Sequence, residues 1–466
     1  MRSPNGIGTD APDLFPTGLG SRFHRKGSRG NVDRGGTPVN YRIAVIEFPG
    51  TNCERETARA VQRAAMDPIR FKWNDDPAIL ASCDGYVIGG GFSYEDRSRS
   101  GIIAALDPIM RSLRVEDKKG KPILGICNGA QILLESGIIP GLSDHRLGGA
   151  LAQNKQFVDG KIIGTGFYNA WVHVRLSEGS SSHAFVRGIS TDTVMRIPAA
   201  HAEGRFVIPR GVLEHLYASG ATIFRYCDEA GNEHPQFPCN PNGSVDNIAA
   251  LGNLRGNALG IMPHPERTNE GDCMFASMRT YLSQGLYRES IDLDFSQKEE
   301  PSGVYAPGVK SRELVISLII TDNTAVSVEQ ALRQLGFPVS VRRAVHWELT
   351  PAPDSTEHQF EQDFATACKS GELFNSNKEY PVEDLPATDR TILVRTDAED
   401  DCIGLHAKHV LTNWFGLPSI AEIRHGILWM ITVDPGHGTQ SEHMIEECLH
   451  TNIFNNPFSH RRYTYA

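Results

Sequence analysis

The sequence predicts an α/β fold, in which a parallel sheet flanked by helices is followed by two small tandem α+β repeats. Short apolar strands alternate with helical segments over residues 40–290, glycine-rich turns follow several of these strands, and the last third of the chain repeats itself. The 466 residues suffice for two or three domains. With 40% hydrophobic residues and 45 glycines, the chain can bury a sizeable core, so a wholly disordered protein is excluded.

Composition excludes several classes of protein. The formal charge is −10, and no long Lys/Arg block is present, which argues against a dedicated nucleic-acid binder. The apolar run at 314–320 is far shorter than the roughly 18 residues of a membrane span. The nine cysteines form no CxxC pair, so we expect reduced thiols, a cytoplasmic location and no structural metal.

The first 39 residues are predicted to be a mobile tail. They are rich in glycine, proline and arginine and show no hydrophobic periodicity. A transit peptide is the alternative interpretation, and the acidic residues Asp10, Asp13 and Asp33 count against it.

The main domain is expected over residues 40–290. Its elements, in order, are a buried strand ending at Pro49-Gly50 (41–48), a helix (54–65), a strand running into three glycines (84–96), and a strand, tight turn and helix that ends at Gly137 (121–137). Strands that alternate with helices predict a parallel sheet covered on both faces. In such sheets the chemistry collects at the carboxyl ends of the strands, where these glycine turns lie.

Residues 291–311 are polar, contain prolines and glycines, and are predicted to be a linker. Two tandem modules follow, at 312–385 and 386–466, and we expect them to pair as a pseudo-dimer. The matching segments are Gly336-Phe337-Pro338 with Gly416-Leu417-Pro418, Phe374-Asn375 with Phe454-Asn455, and Arg342 and Trp347 with Arg424 and Trp429. The alternative is a chance resemblance between two ordinary α+β segments.

The segment 125–131 (GICNGAQ) makes Cys127 the candidate nucleophile. A nucleophile at a strand-to-helix elbow sits in a sharp turn, and glycines two positions to either side let the backbone pass close by. The free N–H groups at the start of the following helix favour a thiolate. By itself the segment fits equally well a buried structural cysteine.

The segment 262–267 (MPHPER) supplies a base and its orienting carboxylate. A catalytic thiol needs a base, which in turn needs a group that fixes its tautomer. His264 and Glu266 are two residues apart, so in extended backbone their side chains point the same way, and the flanking prolines stiffen the segment. Taken alone, His264 fits better a solvent-facing loop histidine.

The glycines at 89–91 are candidate oxyanion donors. A glycine run after a strand can direct backbone N–H groups at a developing negative charge, although flexible turns have the same composition. The chain lacks a GxxxxGK[ST] segment, which disfavours a phosphate loop.

Six segments in the same order resemble the triad (class I) glutamine amidotransferases, which have a flavodoxin-like fold. More narrowly, residues 41–287 resemble the glutaminase subunit of phosphoribosylformylglycinamidine synthase. The segments are FPGTNCE (48–54), GGFSYED (90–96), GICNGAQ (125–131), AHAEGR (200–205), NPNGS (240–244) and MPHPER (262–267). Departures from that family are small, and Gly89, which replaces its usual proline, is expected to loosen the oxyanion loop.

The resemblance implies the role of each matching residue. The catalytic residues are Cys127, His264 and Glu266, and the residues for the oxyanion and glutamine are Gly90, Gly91, Asn128 and Gln131. His201 and Glu203 match a motif near the active site and are expected to be structural or to face the synthetase.

The implied reaction is hydrolysis of L-glutamine through a cysteine thioester. Ammonia passes to a separate large synthetase chain, which uses ATP and Mg, so no cofactor is expected on this chain. The repeats resemble, more weakly, the small bridging subunit of the same synthase, with an unrelated α/β appendage as the alternative. For the whole chain, the alternatives are an amidotransferase serving another acceptor, a stand-alone thiol hydrolase and a regulatory binding protein.

Overall fold

The computed structural model describes residues 40–180, 182–285, 293–295, 303–436 and 441–465. The predicted tail, residues 1–39, lies outside the described residues, as does part of the predicted linker. From Tyr41 onward the chain forms one compact unit built around two large sheets. Among the described helices, none combines the length and the apolarity that a bilayer crossing requires.

The first sheet has nine strands in the order β2-β1-β3-β4-β13-β12-β11-β8-β9. Its strands are β1 (Arg42–Glu47), β2 (Asp67–Lys72), β3 (Gly85–Ile88), β4 (Ile123–Ile126), β8 (Tyr168–Leu176), β9 (Val194–His201), β11 (Thr222–Cys227), β12 (Ile248–Gly252) and β13 (Ala258–Ile261). Two separate two-stranded sheets are also present: β5 (Ala150–Gln153) pairs with β10 (Glu203–Val207), and β6 (Lys155–Val158) forms a hairpin with β7 (Lys161–Thr165).

Seven helices accompany the first sheet: α1 (Glu54–Arg63), α2 (Ala78–Ala81), α3 (Ile102–Leu106), α4 (Ile109–Lys118), α5 (Asn128–Glu135), α6 (Arg210–Ser219) and α7 (Asp272–Gln284). Strands β3, β4 and β13 are buried at every position, as expected for parallel strands covered by helices on both faces. The α/β class predicted from the sequence is therefore confirmed.

Part of the first sheet is antiparallel, which the alternating strand–helix pattern did not predict. Strands β2, β1, β3, β4 and β13 run parallel, whereas β12, β11, β8 and β9 are joined to them and to one another by antiparallel pairing. The connection from β12 to β13 spans only residues 253–257, too few for the crossover that a parallel pair needs. The short connection therefore dictates the antiparallel pair.

The second sheet has seven strands in the order β14-β20-β18-β19-β16-β15-β17. Its strands are β14 (Gly303–Val304), β15 (Arg312–Leu318), β16 (Val339–Pro351), β17 (Glu379–Pro381), β18 (Arg390–Arg395), β19 (Ile420–Val433) and β20 (Arg461–Thr464). Its helices are α8 (Asn323–Gln334), α9 (Glu357–Lys369), α10 (Cys402–Asn413) and α11 (Ser441–His450). Residues 312–385 and 386–466 thus contain the same order of elements, strand-helix-strand-helix-strand.

The long strands β16 and β19 pair across the centre of the second sheet with a symmetric register. Arg342 lies opposite Met430, and Arg424, its counterpart in the sequence repeat, lies opposite Glu348. Because Glu348 and Met430 occupy equivalent positions in the two copies, exchanging the copies leaves the pairing unchanged. This is the arrangement of a two-fold dimer made from one chain.

Helix α3 connects the hydrophobic cores of the two sheets. Ile102 and Ile103 of α3 are buried in the cluster that contains Leu332, Trp429 and Phe454 of the second sheet and its helices. Burying apolar surface excludes water from this contact. Ala104 and Ala105 of the same helix are buried in the core of the first sheet, so α3 packs against both sheets.

Candidate active site

Cys127 lies at a strained elbow between β4 and α5. Its backbone is in an unusual positive-φ conformation (φ 52°, ψ −106°), and its side chain is buried. The neighbouring glycines are required by close packing. A Cβ on Gly125 would lie 2.4 Å from the carbonyl oxygen of Gly129, and one on Gly129 would lie 2.1 Å from that of Ile88. The elbow therefore places the sulfur at the carboxyl end of β4.

His264 reaches the same edge of the sheet from the adjacent strand. Strands β4 and β13 are parallel neighbours in which Ile126 pairs with Ile261, so the residues that follow them emerge together. The N–H of His264 donates to the carbonyl of Pro198 at 2.7 Å, which fixes the backbone there. The charge of Cys127 acts on the pKa of His264, although 137 residues separate the two in sequence, and the Cys127 thiol itself donates to the carbonyl of Ala200 at 3.8 Å.

Glu266 completes the chain of side chains. Its Oε1 lies 2.8 Å from Nδ1 of His264, and both residues are almost fully buried. A carboxylate at Nδ1 fixes the imidazole tautomer and leaves the other ring nitrogen for proton exchange with the thiol. Burial lowers the pKa of His264, but the negative charge of Cys127 and hydrogen bonds to Cys127, Cys53 and Glu266 outweigh it and hold that pKa well above its usual value. This environment favours the protonated imidazolium form of His264.

The glycines after β3 lie against His264. A Cβ on Gly90 would be 2.7 Å from Cε1 of His264. Gly91 forms an antiparallel bridge with Thr51, in which the carbonyl of Gly90 accepts from Asn52 at 3.1 Å and Phe92 donates to Gly50 at 3.0 Å. In a bridge of this kind the N–H of the central residue points away from its partner segment. The N–H of Gly91 is therefore directed away from Thr51.

Asn128 and Gln131 tie α5 to its surroundings through their side chains. The Oδ1 of Asn128 accepts from the N–H of Ser93 at 3.0 Å, and its Nδ2 donates to Oε1 of Gln131 at 2.9 Å. The Nε2 of Gln131 donates to the carbonyl of Glu203 at 2.7 Å. Both ends of the Gln131 amide are thus engaged within the protein, and its contact with glutamine stays a prediction.

His201 is buried beside the site in its neutral form. Desolvation and the charge of His264 lower the pKa of His201 to about 3. The Nδ2 of Asn154 approaches its Nδ1 at 3.2 Å, and among the described residues nothing bonds its Nε2. Glu203 lines a cavity of about 420 Å³ between the two sheets, and burial raises its pKa. A contact of either residue with a separate synthetase stays a prediction.

Two residues at the site were not assigned from the sequence. The Nη2 of Arg267 donates to the sulfur of Cys53 at 2.9 Å, and that sulfur lies within 4.8 Å of a ring nitrogen of His264. Both residues belong to the quoted segments FPGTNCE and MPHPER, but nothing in the spacing shows that they meet. The sequence therefore indicated that Cys53 and Arg267 belong to these two segments, but not that their side chains are in contact.

Cys53, His264 and Glu266 also form a possible metal-ligand set. Within the described ranges, their ligand atoms are the one such group, all within 4.8 Å of one another. However, Nδ1 of His264 is bonded to Glu266, and the cationic Arg267 is bonded to Cys53, so a divalent cation would be repelled by a charge of the same sign. The geometry is that of a triad with a supporting ion pair, and we assign no metal to it.

Asp96 was also missed as a member of the site. Its Oδ1 lies 3.4 Å from Nδ2 of Asn128, a long contact. Burial and the nearby charge of Glu203 raise the pKa of Asp96 to about 7. A carboxyl that titrates near neutrality thus lies next to the residue that follows the nucleophile.

The part of the chain that carries this site is similar to known proteins. Residues 40–280 match the model of the CobB/CobQ-like glutamine amidotransferase domain. Phosphoribosylformylglycinamidine synthase subunit PurQ of Methanothrix thermoacetophila is 49% identical over 229 residues, which cover 48% of this chain and 86% of that protein. The subunit of the same name from Methanocaldococcus jannaschii is 39% identical over 229 residues, covering 49% of this chain and 90% of that protein.

A solved structure described as "Structure of PurLQS from Thermotoga maritima" aligns with 30% identity and a TM-score of 0.41, covering 52% of this chain and 100% of that one. The family match ends at residue 280, before the second sheet begins. On the extent of the family match and the identity to the PurQ subunits, this chain belongs to the CobB/CobQ-like glutamine amidotransferase family, within the PurQ group.

Proposed function

We propose that this chain is the glutaminase component of phosphoribosylformylglycinamidine synthase, acting in purine biosynthesis. The observation that carries the proposal is the convergence of Cys127, His264 and Glu266 at one sheet edge, in a chain that is 49% identical to a PurQ subunit. The substrate is L-glutamine, and the products are glutamate and ammonia.

The first half of the reaction forms a thioester. The Cys127 thiolate attacks the side-chain amide carbon of glutamine, and the carbonyl oxygen becomes an oxyanion. The N–H of Gly91, directed away from Thr51, and the N–H of Asn128 at the start of α5 are the donors that stabilise it. Backbone donors of this kind contribute about 10²- to 10³-fold in rate each.

Collapse of this intermediate expels ammonia. The imidazolium of His264 gives its proton to the departing nitrogen, the C–N bond breaks and an acyl-enzyme thioester remains. The neutral His264 then takes a proton from water as the water attacks the thioester. The C–S bond then breaks, and glutamate leaves as its new carboxyl group loses a proton to solvent. The sulfur departs as thiolate and the imidazole keeps the proton taken from water, so the thiolate–imidazolium pair is restored.

The ammonia goes to a second active site on a partner chain. In this proposal a separate synthetase subunit activates formylglycinamide ribonucleotide with ATP and Mg, and ammonia forms the amidine there. The name PurLQS of the aligned Thermotoga maritima structure and the names of the PurQ relatives support such a partner. The nine free thiols fit a reducing compartment such as the cytoplasm.

The second sheet is proposed to replace a separate pair of small bridging subunits. The support is the symmetric register of β16 with β19, which joins two copies of one strand-helix-strand-helix-strand module. A two-fold dimer fused into one chain presents two equivalent surfaces, as a bridge between larger subunits requires.

The test is Cys127→Ala in the chain assembled with its synthetase. Glutamine-dependent product formation should fall by at least 10³-fold, because the nucleophile is gone. Product formation from added ammonium salts should remain, since that reaction bypasses the thioester. Cys368→Ala, on the distant helix α9, is the matched control and should retain both activities. Loss of both activities in Cys127→Ala would contradict the assignment of glutamine hydrolysis to this chain and amidine formation to the synthetase. Full glutaminase activity in Cys127→Ala would refute the triad.

A further inference from the structure

A short segment, Ser93–Ser100, connects the proposed oxyanion donors to the second sheet. Only Phe92 separates it from Gly91, and it leads through Gly101 into α3. Four of its residues have left-handed backbone conformations without being glycine: Tyr94 (φ 51°), Glu95 (φ 58°), Asp96 (φ 52°) and Ser98 (φ 68°). Each such residue costs on the order of 1 kcal/mol. The segment therefore keeps this shape only because contacts on both sides hold it.

At its beginning, active-site residues hold the segment. The N–H of Ser93 donates to Oδ1 of Asn128 at 3.0 Å, and the N–H of Tyr94 donates to the carbonyl of Pro49 at 2.7 Å. Asn128 also supplies the second proposed oxyanion donor through its backbone. A displacement of the segment is thus transmitted to both donors of the oxyanion hole.

At its end, the second sheet holds the segment. Nη1 of Arg97 donates to Oγ of Ser327 on α8 at 2.6 Å, and Oγ of Ser98 donates to the carbonyl of Ile453 at 2.5 Å. Nη2 of Arg99 donates to the carbonyl of Asn452 at 2.6 Å. Three consecutive residues therefore each bond to the second sheet or its helices and loops.

The packing that follows reinforces these bonds. Arg99 also forms an almost fully buried ion pair with Glu135, at the end of α5. Immediately beyond the segment, Ile102 and Ile103 are buried in the core of the second sheet. The segment thus cannot shift relative to the second sheet without breaking several bonds and exposing apolar surface.

We propose that the second sheet is a positioning element of the glutaminase site. Through Arg97, Ser98 and Arg99 it holds the Ser93–Ser100 segment, and with it the N–H of Gly91, where the oxyanion forms. This rests on the proposed function, and it gives the two repeats a role in glutamine hydrolysis that bridging alone does not require. Arg97 and Ser327 are positioning residues, because neither touches the reacting atoms.

The test is Ser327→Ala in the full chain with its synthetase. The substitution removes the hydroxyl on α8 that accepts the hydrogen bond from Arg97, and it leaves the residues of the triad unchanged. The kcat for glutamine hydrolysis should fall by about 3- to 10-fold with KM changed less than about twofold, because an oxyanion contact operates only in the transition state. Ser340→Ala should leave kcat unchanged, because the Ser340 hydroxyl accepts its hydrogen bond from Arg333 of the same repeat.

A second readout separates positioning from general damage. Alkylation of Cys127 by iodoacetamide, followed by mass spectrometry of its peptide, reports the thiolate but needs no oxyanion hole. Its rate should be the same in Ser327→Ala and the parent chain, as should product formation from ammonium salts. Arg97→Ala should give the same loss of kcat, and the double variant should lose no more than either single one, because both act through one hydrogen bond.

Two results would overturn the proposal. One is a kcat in both Ser327→Ala and Arg97→Ala that stays within about 1.5-fold of the parent. The other is an alkylation rate that falls in parallel with kcat, which would show damage to the nucleophile or the fold rather than to the oxyanion hole. A parent chain without glutaminase activity, or an active Cys127→Ala, would instead refute the proposed function itself.

Discussion

Replacing Gly129 by alanine tests whether the elbow and the oxyanion loop are held at a fixed separation. A Cβ at this position would lie 2.1 Å from the carbonyl oxygen of Ile88 and 2.8 Å from its carbon. Both atoms are backbone, so no flexible side chain can move aside. Helix α5 and the end of β3 would have to separate by about 1 Å to restore ordinary contact.

The direction of this displacement determines its effect. Ile88 is the last residue of β3 and immediately precedes the glycines of the oxyanion loop, while Gly129 is two residues after Cys127. Separation therefore moves the nucleophile and Asn128 away from Gly91. A misplacement of about 1 Å costs on the order of 10²-fold in rate. Overpacking of this kind also destabilises by about 1–3 kcal/mol.

The assay is steady-state glutamine hydrolysis, with a thermal melt to establish that the variant is folded. We expect kcat/KM to fall by about 10²-fold or more while a cooperative transition remains. Gly211→Ala is the matched control, because Gly211 lies exposed in α6 and a Cβ there would be 3.5 Å from Cε2 of Phe295, an ordinary contact. A folded Gly129→Ala chain with kcat/KM within about threefold of the parent would refute the reasoning.

Two further predictions concern titrating groups. Glu266→Gln should lower kcat by about tenfold or more. The alkaline limb of the pH profile of kcat should also move to lower pH, because the variant loses one of the contacts that raise the pKa of His264. An alkaline limb at the same pH as in the parent would contradict the role of Glu266. Asp96 has a folded pKa of about 7. An unfolded aspartate titrates near 4, so this group makes folding less favourable as pH rises between about 4 and 7. The parent chain should therefore lose unfolding free energy between about pH 5 and 8, and in Asp96→Asn this loss should be smaller by on the order of 1–2 kcal/mol, after allowance for partial exposure. Denaturant titrations at both pH values measure the loss. An equal loss in the parent and the variant would contradict the assignment.

Local sequence was sufficient for many of the elements, whereas the roles of the candidate triad residues were implied by the resemblance of six segments to a known family. Residues 121–137 form the predicted strand, turn at Cys127 and helix. This could be predicted because the steric requirement for glycine at 125 and 129 arises at the turn itself. The repeat in the last third likewise appears as two modules with the same order of elements. Short-range periodicity and turn chemistry are encoded over a few residues, and so can be read from them.

The tertiary structure decided which distant groups meet. The pairing of Ile126 with Ile261 brings Cys127 to His264, and the folding of the Gly50–Cys53 turn onto the oxyanion loop brings Cys53 to Arg267. The antiparallel half of the first sheet and the docking of Ser93–Ser100 on the second sheet were equally absent from the local pattern. Such contacts depend on strand order and on packing between segments hundreds of residues apart, and no window of sequence contains both partners.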